Sequence, residues 1–164
     1  MASIPWDYMD LVKLLIAVAL GFAIGWEREI HHRPAGLKTI TFVTLASTLF
    51  MELSIKLSSL GIGPPGSDPA RLAAAVITGI GFLGAGVIFQ AGGQLQGITT
   101  AATIWLMTGV GLAVGAGYYV PALATCFLIL VGFSALPVIE RAIARRAQTP
   151  PPGNRPTPPS QQRQ

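Results

Sequence analysis

Residues 79–103 read GIGFLGAGVIFQAGGQLQGITTAAT, with seven glycines (79, 81, 84, 86, 92, 93, 97) and four alanines (85, 91, 101, 102) in 25 positions. Long apolar runs flank the stretch on both sides. In water, glycine inside a helix costs up to about 1 kcal/mol relative to alanine, so a soluble domain has little use for such a run. In lipid the balance differs, because small residues let helix backbones approach closely. The composition agrees with lipid as the solvent: 51% of the residues are hydrophobic, 11% are charged, and mean hydropathy is +0.58. Ordinary globular domains carry roughly 25% charged residues.

Runs near the roughly 20 residues that cross a hydrocarbon core occur five times, at about 11–26, 38–60, 72–90, 98–115 and 118–139. The fold expected is an all-α polytopic membrane helix bundle of about five transmembrane helices occupying residues 1–140. The following segment, 141–164, contains TPPPGNRPTPPSQQRQ and reads as a disordered, basic, proline-rich cytoplasmic tail. Arg28, Arg33 and Lys38 between the first two spans lie on the same side as the tail arginines, whereas Lys13, Lys56 and Arg71 are the most that the other side offers. The positive-inside tendency then places the N-terminus outside and the C-terminus in the cytoplasm. The net charge of +4 follows from this topology and gives no reason to expect nucleic acid as a partner.

The first span is read as retained rather than cleaved as a signal peptide, although Ala17-Val18-Ala19 has small residues at suitable spacing. Asp7 and Asp10 stand where a basic start would be needed. Cys126, the single cysteine, has no intramolecular disulfide partner and reads as an apolar packing residue.

Helical spacing sorts the small residues onto faces. Ala75, Gly79 and Gly86 share one side of the third span, with Gly81 and Gly84 opposite; on the fourth, Ala102, Gly109 and Ala113 share one face, and Gly111 and Gly115 form a GxxxG pair on the other. Ala17, Gly21 and Gly25 recur every four residues on the first. These patterns predict a bundle with the third and fourth spans at its centre.

Within the second span Thr41, Thr44, Thr48, Glu52 and Ser59 fall on one stripe with Lys56 at its edge. Two readings stand side by side. In one, Glu52 pairs with Lys56, four residues on, and the threonines bond their own backbone. In the other, Glu52 is a proton- or cation-sensing carboxylate facing the interior, where an ionisable residue is by default functional. Glu27, Arg28 and Glu29 follow the first span directly and are expected to pair with Lys38 or with another helix. Glu27 and His31 have a metal-capable spacing but fall short of a ligand set, so no metal and no cofactor are expected. Asp68 before Pro69 is N-cap chemistry, with Arg71 within its reach.

Taken in order, GWERE, RPAGLKT, DPARLAA, GIGFLGAGVI and GITTAATIW resemble the membrane domain of the MgtC/SapB family over about residues 15–140. The resemblance carries motif or contact roles to Glu27, Arg28, Glu29, Gly36, Lys38, Asp68, Arg71, Gly79, Gly81, Gly84, Gly86, Thr99 and Thr100. It implies a bacterial inner-membrane protein linked to magnesium-limited growth and to survival inside host cells, which in some members restrains the F-type ATP synthase. Lys38 and Gln96 stand where the family usually has arginine, and lysine lacks arginine's bidentate fork. The cytoplasmic C-terminal domain of longer members has no counterpart in this sequence, so regulation through it is not expected.

The function expected is regulatory or accessory, exercised through a membrane-protein partner or a second copy of the chain. The alternative is a small ion transporter or channel using Glu52 and the glycine-rich helices. No nucleophile system points to an enzyme. Single cysteines placed at Ala35 and Gly66 in a Cys126→Ser background are expected to react with an impermeant thiol reagent from opposite faces of the membrane; labelling from one face overturns the topology.

Overall fold

Helix α1 (Tyr8–Ile30) is followed by α2 (Leu37–Ser59), α3 (Ala70–Gly86), a strand pair β1 (Phe89–Ala91) and β2 (Gln94–Gln96), α4 (Ile98–Gly115) and α5 (Tyr119–Ala147). This computed structural model describes residues 7–62, 68–91 and 94–147; the tail beyond residue 147 lies outside the described residues. The described residues are helical almost throughout, and α1, α2, α4 and α5 are each long and apolar enough to cross a membrane. At about 1.5 Å per residue, the 17 residues of α3 cover only about 26 Å.

The ends of the helices are written in local chemistry. After α2 the amide of Gly61 donates to Ser58 O and that of Ile62 to Leu57 O; after α4, Gly117 donates to Val114 O and Tyr118 to Ala113 O. Both are Schellman caps, and the glycines supply the left-handed turn with φ of 64° and 83°. The same pair of bonds closes α1, His32 to Glu29 O and Arg33 to Arg28 O, but here His32 takes the left-handed conformation, with φ 50°.

Where the sequence predicts a third span running to Gln90, α3 ends at Gly86 and the chain turns into an antiparallel hairpin pairing Phe89 with Gln96 and Ala91 with Gln94. Gly92-Gly93 between the strands is the hairpin signal that competes with the apolar run. Gly97 then leads into α4 so close to α3's end that a side chain there would collide with the carbonyl of Val87.

The division into compact units falls at Leu130. In the first unit α1 packs along α2, α2 along α4, and α3 against α4 and α2. The α1–α2 contact is close because Gly21 meets the backbone of Thr41, and Gly25 that of Leu37. The α2–α4 contact uses the GxxxG pair: a Cβ on Gly115 would stand 2.6 Å from Thr48 O, and one on Gly111 would run into Thr44 O. Thr48 Oγ1 donates to Gly111 O at 2.8 Å across this interface, as well as to Thr44 O in its own helix. Ile24, Ile40, Ile104, Met107 and Val114 fill the space between the three helices. The second unit, from Val131, contains among its described residues the remainder of α5, with Pro137 inside the helix and Glu140, Arg141 and Arg145 exposed.

The expectation that the third and fourth spans form the centre holds for α4 and fails for α3. Ten residues of α4 are buried and none of α3. A Cβ on Gly79, Gly81 or Gly86 would meet nothing within 4 Å, and one on Gly84 only the Ala101 methyl at 3.8 Å. A face of small residues marks where another helix can come close; among the described residues, only Gly84 of these four has a neighbour within reach of a Cβ. The centre is instead α1, α2 and α4. Gly115→Ala is therefore expected to lower the melting temperature in detergent, with a cost of about 1–3 kcal/mol for a methyl forced against backbone, while Gly79→Ala leaves it unchanged or slightly higher. Equal losses in the two variants would contradict this arrangement.

Candidate functional site

Two polar clusters occupy the α1–α2–α4 core, one toward each end. Arg28 and Lys13, which mark them on α1, are 15 residues apart, or about 22 Å along the helix.

The first is built on Arg28, which is only 2% exposed. Its Nη2 donates to Pro34 O at 2.6 Å and Thr100 Oγ1 at 2.7 Å, its Nε to Ala35 O at 3.1 Å, and its Nη1 to Thr103 Oγ1 at 3.3 Å. Thr103 in turn donates to Thr99 O at 2.8 Å. One planar guanidinium thus ties the end of α1 to the following loop and to the first turns of α4, using the fixed fork of donors that lysine does not have. The loop pays a conformational cost to present its carbonyls: besides His32, Ala35 has a positive φ, 54°. Glu29 works on the same loop from outside, accepting the Leu37 amide at 3.0 Å, with Gly36 so close to the carboxylate that a side chain there would clash.

The second cluster crosses the charges of α1 and α2. Lys56 Nζ lies 2.7 Å from Asp10 Oδ2, and Lys13 Nζ lies 3.7 Å from Glu52 Oε1. Asp10 also accepts the Asp7 amide at 2.7 Å, and Lys13 donates to Gly115 O at 3.1 Å, in the last turn of α4. Glu52 is 2% exposed, and neither carboxylate oxygen accepts a hydrogen bond. The pairing of Glu52 with Lys56 suggested by their spacing is thus corrected. Both side chains reach α1, where Asp10 and Lys13 present the opposite charges one helical turn apart.

The remaining residues singled out by sequence do not gather at either cluster. Glu27 meets exposed His31, whose Nδ1 is 3.1 Å from Oε1, and no group of three metal-capable side chains forms among the described residues. Lys38 and Thr99 are exposed, and the expected partner of Arg28 proves to be another helix, not Lys38. Asp68 Oδ1 accepts the Ala70 amide at 2.8 Å at the start of α3, with Arg71 exposed beside it. Gly79, Gly81 and Gly86 face open surface. Sequence reasoning missed three contributors: Thr103, one turn beyond Thr99 and Thr100, and Asp10 and Lys13, whose spacing on one face of α1 is the signal that could have found the second cluster.

The family model described as the MgtC family matches residues 14–142, most of the chain. The chain belongs to this family. Protein SapB of Bacillus subtilis is 40% identical over 147 residues, covering 83% of this chain and 61% of its own. Protein MgtC of Brucella abortus is 42% identical over 125 residues, covering 76% and 50%, and protein MgtC of Salmonella typhimurium is 42% identical over 120 residues, covering 73% and 49%. The chain thus spans about half to three-fifths of the length of these MgtC-family relatives. No solved structure matches it. The matched region takes in the whole Arg28 cluster, together with Glu52 and Lys56, while Asp10 and Lys13 precede it.

Arg28→Lys is expected to lower membrane abundance and melting temperature, because a single ammonium cannot reach all the acceptors around the guanidinium, leaving polar groups unpaired at about 1–3 kcal/mol each. Thr103→Val, which removes one long bond, is expected to cost about 1 kcal/mol. Arg155→Ala is the control and should change neither measurement; an Arg28→Lys protein as stable as wild type would remove Arg28 from its structural role.

Proposed function

We propose that this protein is an inner-membrane regulatory or accessory protein of the MgtC/SapB type, acting through helix contacts with a membrane-protein partner, its N-terminus outside and its C-terminus cytoplasmic. The observation that carries this reading is the division of labour among the small residues. Gly21 and Gly25 of α1 and Gly111 and Gly115 of α4 make contacts inside the chain, whereas Gly79 and Gly86 leave one side of α3 open for another helix to seat closely. The polar side chains of the core also support it, since Arg28, Thr44, Thr48 and Thr108 bond to protein groups around them. The link to magnesium-limited growth, and the restraint of a membrane ATPase or transporter, are what membership of the family adds to this reading.

A second reading, a small ion transporter or channel, is favoured by Glu52, a carboxylate buried without hydrogen bonds near one end of the core. The two separate cleanly in experiment. On the regulatory reading, vesicles containing the purified protein show no ion flux above empty vesicles, while Gly79→Leu abolishes support of growth at low magnesium and co-purification of the partner without lowering membrane abundance. Flux that disappears in Glu52→Gln, with Gly79→Leu retaining full activity, would replace the regulatory reading by the transport one.

A further inference from the structure

The two ion pairs of the second cluster are not equivalent. Asp10 and Lys56 are in direct contact at 2.7 Å, and Asp10 has the Asp7 amide as well, so that pair is complete. Glu52 is not. Its side chain is fully enclosed, both oxygens lack a hydrogen bond, and the nearest cation, Lys13, stands off at 3.7 Å while donating to Gly115 O at 3.1 Å. The charged side chains acting on Glu52 are Lys13 and Asp10 from α1 and Lys56 from its own helix. From α4, Gly115 O shares the Lys13 ammonium, and on the α3 side Ser54, two residues beyond Glu52, donates to Pro69 O.

An ionised carboxylate with no donors is a poor occupant of a dry interior, whereas a neutral carboxylic acid is tolerated there. Lys13, by contrast, is satisfied without Glu52, because it rests on the negative end of α4. We infer that Glu52 is a proton-binding site and that Lys13 transmits its charge to the end of α4. With the proton on Glu52, the O–H bond is intact and Lys13 stays on Gly115 O. When the proton leaves to water, the carboxylate draws Lys13 across, and the last turn of α4 loses its bond to α1. The Lys13 and Lys56 side chains are about one-fifth and one-sixth exposed against none for Glu52, so the proton's route out of the cluster runs past these two ammonium groups. The inference goes beyond the regulatory reading and does not depend on it: a proton can be bound and released at Glu52 whether or not α3 seats a partner.

Infrared difference spectroscopy of the full chain in lipid nanodiscs, stepped across neutral pH, tests it. The glutamates are Glu27, Glu29, Glu52 and Glu140, so with isotopically labelled glutamate the triple variant Glu27→Gln, Glu29→Gln, Glu140→Gln isolates Glu52 even where Glu52→Gln fails to accumulate. The expected result is a labelled carboxylic-acid band that falls as pH rises, persists in the triple variant and is lost in Glu52→Gln. In Lys13→Met the same band should persist to higher pH, because the carboxylate has lost its counter-ion. Absence of a Glu52 acid band at every pH at which the protein stays folded would make Glu52 a fixed ionic partner of Lys13 and overturn the site. A band whose midpoint is the same in Lys13→Met would overturn the role of Lys13.

Discussion

The guanidinium of Arg28 is the interaction on which the arrangement of the bundle depends. It is a full charge enclosed at a helix end, and such a charge is tolerated only if protein groups replace the water it has lost. Two loop carbonyls and two threonine hydroxyls do so, and they come from two places in the chain: the α1–α2 loop and the start of α4. Satisfying one side chain therefore fixes how α1 enters the loop and where α4 begins. The left-handed residues His32 and Ala35 are held in place by the same requirement, since the carbonyls they help to present have a buried donor to meet.

Between the two polar clusters the core is held by close backbone approach. Glycines of α1 lie on α2, and α2 lies on glycines of α4, so each interface brings main chain near main chain and makes room for Thr48 to bond across. In lipid, where apolar side chains gain little by leaving their surroundings, such packing and cross-helix bonding are what association draws on. The clusters at the two ends then set register: sliding α1 along α2 by one turn would separate Lys13 from Glu52 and Lys56 from Asp10 together.

The five helices were legible because apolar length and flanking charge are properties of consecutive residues. The caps at Gly61 and Gly117 use the residue that a left-handed turn favours, a signal the sequence carries, whereas nothing about histidine announces the same conformation at His32. The GxxxG pair of α4 announced a contact but not its partner, α2. The partners of Arg28 were out of reach for a similar reason: Thr100 and Thr103 are 72 and 75 residues away, and only the folded arrangement brings them in. Gly79, Gly81 and Gly86 misled in the opposite sense, since a run of small residues permits close approach of a helix without requiring that one be there. Asp10 and Lys13 were visible as charges beside a membrane span, but spacing along one helix pairs Glu52 with Lys56, and only the packing of α1 on α2 brings the contacts between helices within reach.

The brevity of α3 has a consequence for the membrane itself. α1 and α2, at 23 residues each, run about 34 Å, whereas α3 runs about 26 Å and buries none of its residues in the bundle. A hydrocarbon layer of roughly 30 Å cannot match both. A helix longer than the layer meets it by tilting and a shorter one by thinning it or by snorkelling of its flanking residues, so α1 and α2 ask something different of the surrounding lipid than α3 does. Mismatch of this kind costs fractions of a kcal/mol per Å, yet it sorts proteins among membranes of different thickness. The short helix is thus also the one whose Gly79 and Gly86 are bare, and a helix seated against them would match it in membrane thickness only if it were similarly brief.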